Sequence, residues 1–136
     1  MMKDIEKYYE NTKNSLPHEN IINFIKLEEN KGDAIDLGCG TGRDTIFLIK
    51  NDWNVLSIDR EDTEKIIAEN LNEKELKQFS FLSQTFEDIK LEKNNLVVAN
   101  FSLPFCNKDY FNEFWKKIVE SILKGRIFCR KFLWQQ

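Results

Sequence analysis

Three glycines and two carboxylates in the first half of the chain have the types and spacing to hold a nucleotide. Gly38, Gly40 and Gly42 alternate through DAIDLGCGTGRDT, with Cys39 and Thr41 between them. Asp36 stands two residues ahead of the first glycine, and Asp59 ends a second apolar run, WNVLSID. A strand, a glycine-rich turn and a helix, in that order, bind the phosphate or ribose end of a nucleotide. Glycine can take positive φ in such a turn, and having no side chain it lets a ligand lie against the backbone. Amide N–H groups at the start of the next helix lack intrahelical partners and point at whatever sits there. A carboxylate at the end of the second strand can accept both ribose hydroxyls of an adenosine. The plain alternatives are an ordinary strand-to-helix turn and a solvated strand-end carboxylate. The third glycine of GxGxxG is missing, because Arg43 and Asp44 follow Gly42.

These residues need strands and helices to position them, and the pattern supplies both. SLPHENIINFIKLEENKG reads as a helix with Pro17 in its first turn, an Ile21, Ile22 and Ile25 stripe, and Gly32 just past its end. DAIDLG is a short apolar strand, and TGRDTIFLIKN a helix. WNVLSID is nearly continuous in apolar residues, which suits a strand covered on both faces. DTEKIIAENLN reads as one helix, FSFLSQ as a third strand and NNLVVANF as a fourth. In NKDYFNEFWKKIVESIL, Phe111, Phe114, Trp115, Ile118, Val119, Ile122 and Leu123 form one broad face at helical period. That face is expected to pack in the core. RIFCRKFLW, after Gly125, is a candidate fifth strand. Alternating strands and helices imply βαβ units and a parallel sheet covered on both faces.

Bulk composition narrows the function classes. The chain has 136 residues, one domain's worth, with 20 basic and 23 acidic residues for a net charge of −3. That balance argues against a nucleic-acid partner or an anionic membrane surface, which call for a basic excess. Three cysteines, Cys39, Cys106 and Cys129, without recurring spacing do not form a disulfide framework. With no CxxC and a single histidine, His18, no metal site is expected. The N-terminal residues are charged, unlike a signal peptide. The apolar stretch LVVANFSLPF is too short to span a bilayer. A reduced, cytoplasmic protein is expected.

AIDLGCGTGRDT together with VLSIDRE resembles the first two motifs of class I S-adenosylmethionine-dependent methyltransferases. The form hh[DE]hGxGxG is matched at every position from Ala34 to Gly42. NLVVANFSLPFC resembles the family's fourth strand and following loop, and YYENTKNSLPHE the N-terminal cap of a small bacterial branch akin to the tellurite-resistance type. The resemblance implies an α/β, Rossmann-like, doubly wound and mostly parallel sheet of order 3-2-1-4-5, lacking the family's last two strands. It implies a single S-adenosylmethionine-binding domain over residues 1–136, with a helical cap over 1–31 and an atypical tail over 126–136.

The same resemblance assigns site residues. Gly38, Cys39 and Gly40, with Thr41 and Gly42 completing the turn, would pass under the methionine part of S-adenosylmethionine. Asp36 would orient its amino group, Asp59 would hold the ribose hydroxyls and Arg60 would flank the adenine. Phe86 and Glu87, in TFEDI, would lie at the base edge, with Thr85 where many members carry an acid. Asn100 and Phe101 would border the methionine and the transferable methyl. Tyr9 and Thr12 would close the pocket from above.

The implied activity is methyl transfer to a small-molecule acceptor by in-line displacement. Charge is dispersed in that step, so the protein mainly holds donor and acceptor in line, which can contribute on the order of 7–11 kcal/mol. No catalytic base stands out, and NFSLPFC lacks the Asn-Pro-Pro-aromatic form of enzymes that methylate amino groups. Two other readings remain at this point: a catalytically impaired protein that binds S-adenosylmethionine or S-adenosylhomocysteine, and a NAD-binding Rossmann oxidoreductase. Codons compatible with KGRIFCRKFLWQQ, read one base later, can encode KGGYFVGNFFGNN, which resembles the family's fifth strand and the turn beyond. A frameshift from about Arg126 is therefore expected. A sheet ending at the fifth strand would have an open edge, and a homodimer through that C-terminal edge is expected.

Overall fold

In this computed structural model, residues 19–100, 110–123 and 131–135 are described. The apolar runs form strands β1 (Asp33–Leu37), β2 (Asn54–Asp59), β3 (Phe79–Ser83), β4 (Leu96–Asn100) and β5 (Lys131–Gln135). Between them lie helices α1 (Glu19–Leu27), α2 (Arg43–Lys50), α3 (Glu64–Ala68), α4 (Glu73–Leu76) and α5 (Phe111–Leu123). The sheet has the order β3-β2-β1-β4-β5, and each pairing is parallel. This is the Rossmann-like order that the sequence implies.

Side chains alternate across a strand, and here the alternation sorts the core into two layers. Ala34, Val55, Leu96 and Val98 join Ile21, Leu48, Ile49, Trp53, Ile67 and Leu71 on one face, under the N-terminal helices. Ile35, Leu37, Ile58, Val97 and Ala99 join Phe86, Ile89, Phe114 and Ile118 on the other, under α5. The same parity carries Asp36, Ser57, Asp59 and Asn100 onto the first face. Register brings Asp36 between Ser57 of β2 and Val98 of β4. All five residues of β4 are buried, whereas β3, at an edge, is half exposed. No helix among the described residues is long and apolar enough to cross a membrane.

Three expectations are corrected. The first helix ends at Leu27, so Gly32 is not its cap. Gly32 instead leaves room for a side chain: a Cβ there would sit 2.2 Å from Asn95 Oδ1, the atom that accepts the Asp33 amide at 2.9 Å. The helix read over Asp62–Asn72 is shorter, spanning Glu64–Ala68, and α4 beyond it was not expected. Asn72 accepts the Glu75 amide while Glu75 accepts the Asn72 amide, a reciprocal cap that starts α4 and ends the preceding turn. The apolar face of α5 is only half used. Phe114 and Ile118 are fully buried, but Phe111, Trp115 and Val119 are 36–40% exposed. The face is wider than the strip that the sheet covers, and Phe111 and Trp115 stack on each other along the outside, with ring centroids 6.4 Å apart.

Candidate functional site

Parallel α/β sheets bind ligands at the carboxyl ends of their strands, at the point where strand order reverses. Here that point lies between β1 and β4. The turn leaving β1 passes through three left-handed residues, Gly38 (φ 68°), Gly40 (φ 56°) and Gly42 (φ 85°). Gly42 has a second constraint. A Cβ on it would stand 2.6 Å from Ile67 Cγ1, so its lack of a side chain lets the start of α2 seat against α3.

The turn's amides are largely satisfied from within. The Gly38 and Cys39 amides both donate to the Ile58 carbonyl, at 2.7 and 3.2 Å, and that of Gly42 donates to the Cys39 carbonyl at 2.9 Å. Gly40 N donates to Asp59 Oδ2 at 2.8 Å. Thr63 Oγ1 donates to the Gly40 carbonyl at 2.6 Å. What the segment from Gly38 to Gly40 presents is therefore bare main-chain surface more than a set of open donors.

Asp59 is 8% exposed. Its other oxygen, Oδ1, accepts the Glu61 amide at 2.9 Å. The Arg60 side chain is 58% exposed, with its Nε 3.8 Å from Glu61 Oε1.

Behind the turn lies a buried polar set that sequence reasoning largely missed. Thr45 Oγ1 donates to Asp36 Oδ2 at 2.6 Å and lies 2.6 Å from Ser57 Oγ. Asp44 Oδ2 accepts from Asn100 Nδ2 at 3.1 Å. Asn100 and Asn20 of α1 exchange amide hydrogen bonds of 2.8 and 3.1 Å. Asp36, Asp44, Thr45, Ser57, Asp59 and Asn100 are all buried. Ser57 interrupts an apolar run and Asp44 and Thr45 are polar residues in the first turn of a helix that is apolar from Ile46 to Ile49; those were the signals in the sequence.

Three buried carboxylates share this end of the sheet. Burial above all, then the Asp44 and Asp59 charges, pushes the Asp36 carboxyl well above the usual carboxylate range, against the opposing bond from Thr45. Burial, then Asp36 and Asp59, pushes the Cys39 thiol up as well. Cys39 is thus a packed thiol, not a nucleophile.

The residues expected at the base edge follow β3. Phe86 is 8% exposed and stacks on Phe114 at 5.0 Å. Its ring belongs to the core beneath α5, leaving only its backbone and the half-exposed Glu87 at the surface. Thr85 Oγ1 donates to Asp88 Oδ2 at 2.9 Å, forming a local turn. The structure thus gathers Asp36, the glycine turn, Asp59 and Asn100, and sets Arg60 and the Phe86 ring apart. Tyr9, Thr12 and Phe101 lie outside the described residues. Among the described residues no group of three or more metal-ligating side chains occurs.

The fold recurs in solved structures. The chain is similar to TehB from Haemophilus influenzae, with 22% identity and a TM-score of 0.63, covering 90% of this chain and 42% of that one. It is similar to a putative S-adenosyl-L-methionine-dependent methyltransferase from Methanococcus maripaludis, with 24% identity and a TM-score of 0.65, covering 88% and 57%. The glycopeptide N-methyltransferase MtfA, complexed with S-adenosyl-L-methionine, matches at 12% identity and a TM-score of 0.66, covering 89% and 55%. The fold is that of these methyltransferases, and the chain spans about half the length of each. No curated protein matches it in sequence. The tellurite resistance protein TehB family matches residues 1–126. With nearly the whole chain inside that match, and with its fold and glycine turn in agreement, this protein belongs to the TehB family.

Proposed function

We propose that the chain binds S-adenosylmethionine at the β1–β4 crevice and transfers its methyl group to a small-molecule acceptor. One observation carries the reading: the strand-end carboxylate Asp59 is bonded to the glycine turn through Gly40 N, so the grip for a ribose and the floor for an adenosyl group are one rigid unit. The donor set also fits. S-adenosylmethionine is cationic at its sulfonium and its amino group, and Asp36, Asp44 and Asp59 place three buried carboxyl groups at this end of the sheet.

When bound, the cofactor would supply an electrophilic methyl on a good leaving group. The chain's own residues would orient and exclude water. Asp59 would accept the ribose hydroxyls at the end of β2. Asp36 would accept hydrogen bonds from the amino group, whose positive charge would oppose the burial that raises this carboxyl. Asn100, at the end of β4, would border the methionine portion. Orientation of this kind can contribute on the order of 7–11 kcal/mol to a displacement.

Calorimetry with S-adenosylmethionine and S-adenosylhomocysteine, paired with a methyl-release assay over several acceptors, tests this. Binding with turnover supports the reading, and binding without turnover leaves a cofactor-holding protein. Thermal protection by NADH in place of either ligand overturns it. Two further parts of the reading are tested separately. The family match stops at residue 126, in keeping with a change of reading frame near Arg126; a shifted frame that meets stop codons at once sinks that idea. A second copy pairing along the outer edge of β5 is expected from the rule that open edges invite strands, and a clean monomer by light scattering at micromolar concentration counts against it.

A further inference from the structure

The structure assigns to Asn20, on the N-terminal helix α1, the role of a positioning residue for the cofactor site. This rests on the proposed S-adenosylmethionine reading. Asn20 lies far from the glycine turn in sequence, yet it meets the switch point through a two-step bridge. Its Nδ2 donates to Asn100 Oδ1 at 2.8 Å, and its Oδ1 accepts from Asn100 Nδ2 at 3.1 Å. Asn100 Nδ2 also donates to Asp44 Oδ2 at 3.1 Å.

An amide group has two N–H hydrogens and one oxygen. Asn100 therefore uses both hydrogens, one toward α1 and one toward α2, and keeps one lone pair on its oxygen. Without Asn20, the Asn100 amide could rotate about its last side-chain torsion and exchange its oxygen and nitrogen. Its nitrogen would then leave Asp44 and its oxygen would face that carboxylate. Asn20 selects the orientation in which the Asp44 charge is compensated and the free lone pair of Asn100 is held in one place. A buried charge-assisted contact of this kind depends strongly on geometry. Ile21, the next residue, is fully buried in the core and anchors the helix by packing alone.

Calorimetric titration of the full chain with S-adenosylmethionine tests the assignment, using Asn20→Ala, Asn20→Gln, Asn100→Ala, the Asn20→Ala/Asn100→Ala double variant, and Ile21→Val as a comparator. Asn20→Ala and Asn20→Gln are expected to weaken binding by roughly five- to tenfold, the size of one or two net hydrogen bonds. The double variant is expected to bind no more weakly than Asn100→Ala, because Asn20 acts through Asn100. Ile21→Val is expected to lower the melting temperature but leave affinity within about twofold of wild type, since it leaves the bridge intact. If Asn20→Ala binds as wild type does, or if Ile21→Val weakens binding as much as the Asn20 variants do, the assignment is overturned. Should Asn20→Ala not fold, Asn20→Gln and the comparator decide the same question. A wild-type chain that binds no S-adenosylmethionine overturns the functional reading itself, a result distinct from wild-type binding that Asn20 leaves unchanged.

Discussion

Asp59 Oδ2 accepts the Gly40 amide at 2.8 Å, joining the end of β2 to the apex of the turn that leaves β1. This bond makes Asp59 a structural strut beside the ribose-holding role proposed for it. Asp59→Ala is expected to lose more cofactor affinity than its ribose contacts alone supply. Hydrogen bonds to a charged group contribute about 1.5–3 kcal/mol each, so a loss of 100-fold or more is expected by calorimetry. Asp59→Asn, which can still accept from Gly40, should lose less. Equal losses in the two variants would show that the strut contributes nothing.

Gly42 should resist substitution for two separable reasons. At φ 85° an L side chain is strained, and the added Cβ would lie 2.6 Å from Ile67 Cγ1. Gly42→Ala is expected to cost about 1–3 kcal/mol by chemical denaturation. Pairing it with Ile67→Ala removes the collision but not the strain. The double variant should therefore be less destabilised than the sum of the two single changes.

The raised Asp36 carboxyl makes stability depend on pH with a definite sign. Its ordinary value is 3.8, and burial holds it well above that in the folded chain. Between those two values the folded chain binds more protons than the unfolded one, so this group's contribution to stability falls as pH rises through the window. Asp36→Asn keeps an acceptor for Thr45 Oγ1 and carries no charge. It should melt higher than wild type near pH 8, by about 3–5 °C for each kcal/mol recovered. The same variant should bind S-adenosylmethionine more weakly. Melting curves that are parallel across pH for the two proteins would refute the cause assigned to the shift.

Adjacent positions on α5 should respond very differently to substitution. Ile118 is fully buried and Val119 is 38% exposed. Ile118→Ala is expected to cost about 2–5 kcal/mol, and Val119→Ser about 0.5 kcal/mol or less. Denaturant midpoints decide this. A large cost at Val119 would mean that the outer strip with Phe111 and Trp115 is covered in solution.

The elements and their order were legible in the sequence because each is written locally. Apolar runs such as LVVAN suit a strand covered on both faces, and alternating glycines after Leu37 permit a turn with positive φ. Which face Asp36, Ser57, Asp59 and Asn100 share follows from the register between strands. The breaks that failed to show were those set by single caps or by neighbours distant in the chain. The Asn72–Glu75 reciprocal bond starts α4, an element that periodicity did not mark, and Asn95 claims the space at Gly32.

What only the tertiary structure decided is how polar groups are shared. No spacing rule announces that the Gly40 amide belongs to Asp59, that Thr45 belongs to Asp36, or that Asn20 reaches Asn100 from the N-terminal helix. Those partners are separated by 9–80 residues. They meet because parallel strands bring their carboxyl ends to one edge, where buried polar atoms must find one another in place of water. The sequence determined which residues can do chemistry at that edge, since backbone conformation and burial follow from local pattern. The fold decided which of them remain available to a ligand, since each internal hydrogen bond removes a donor or a lone pair.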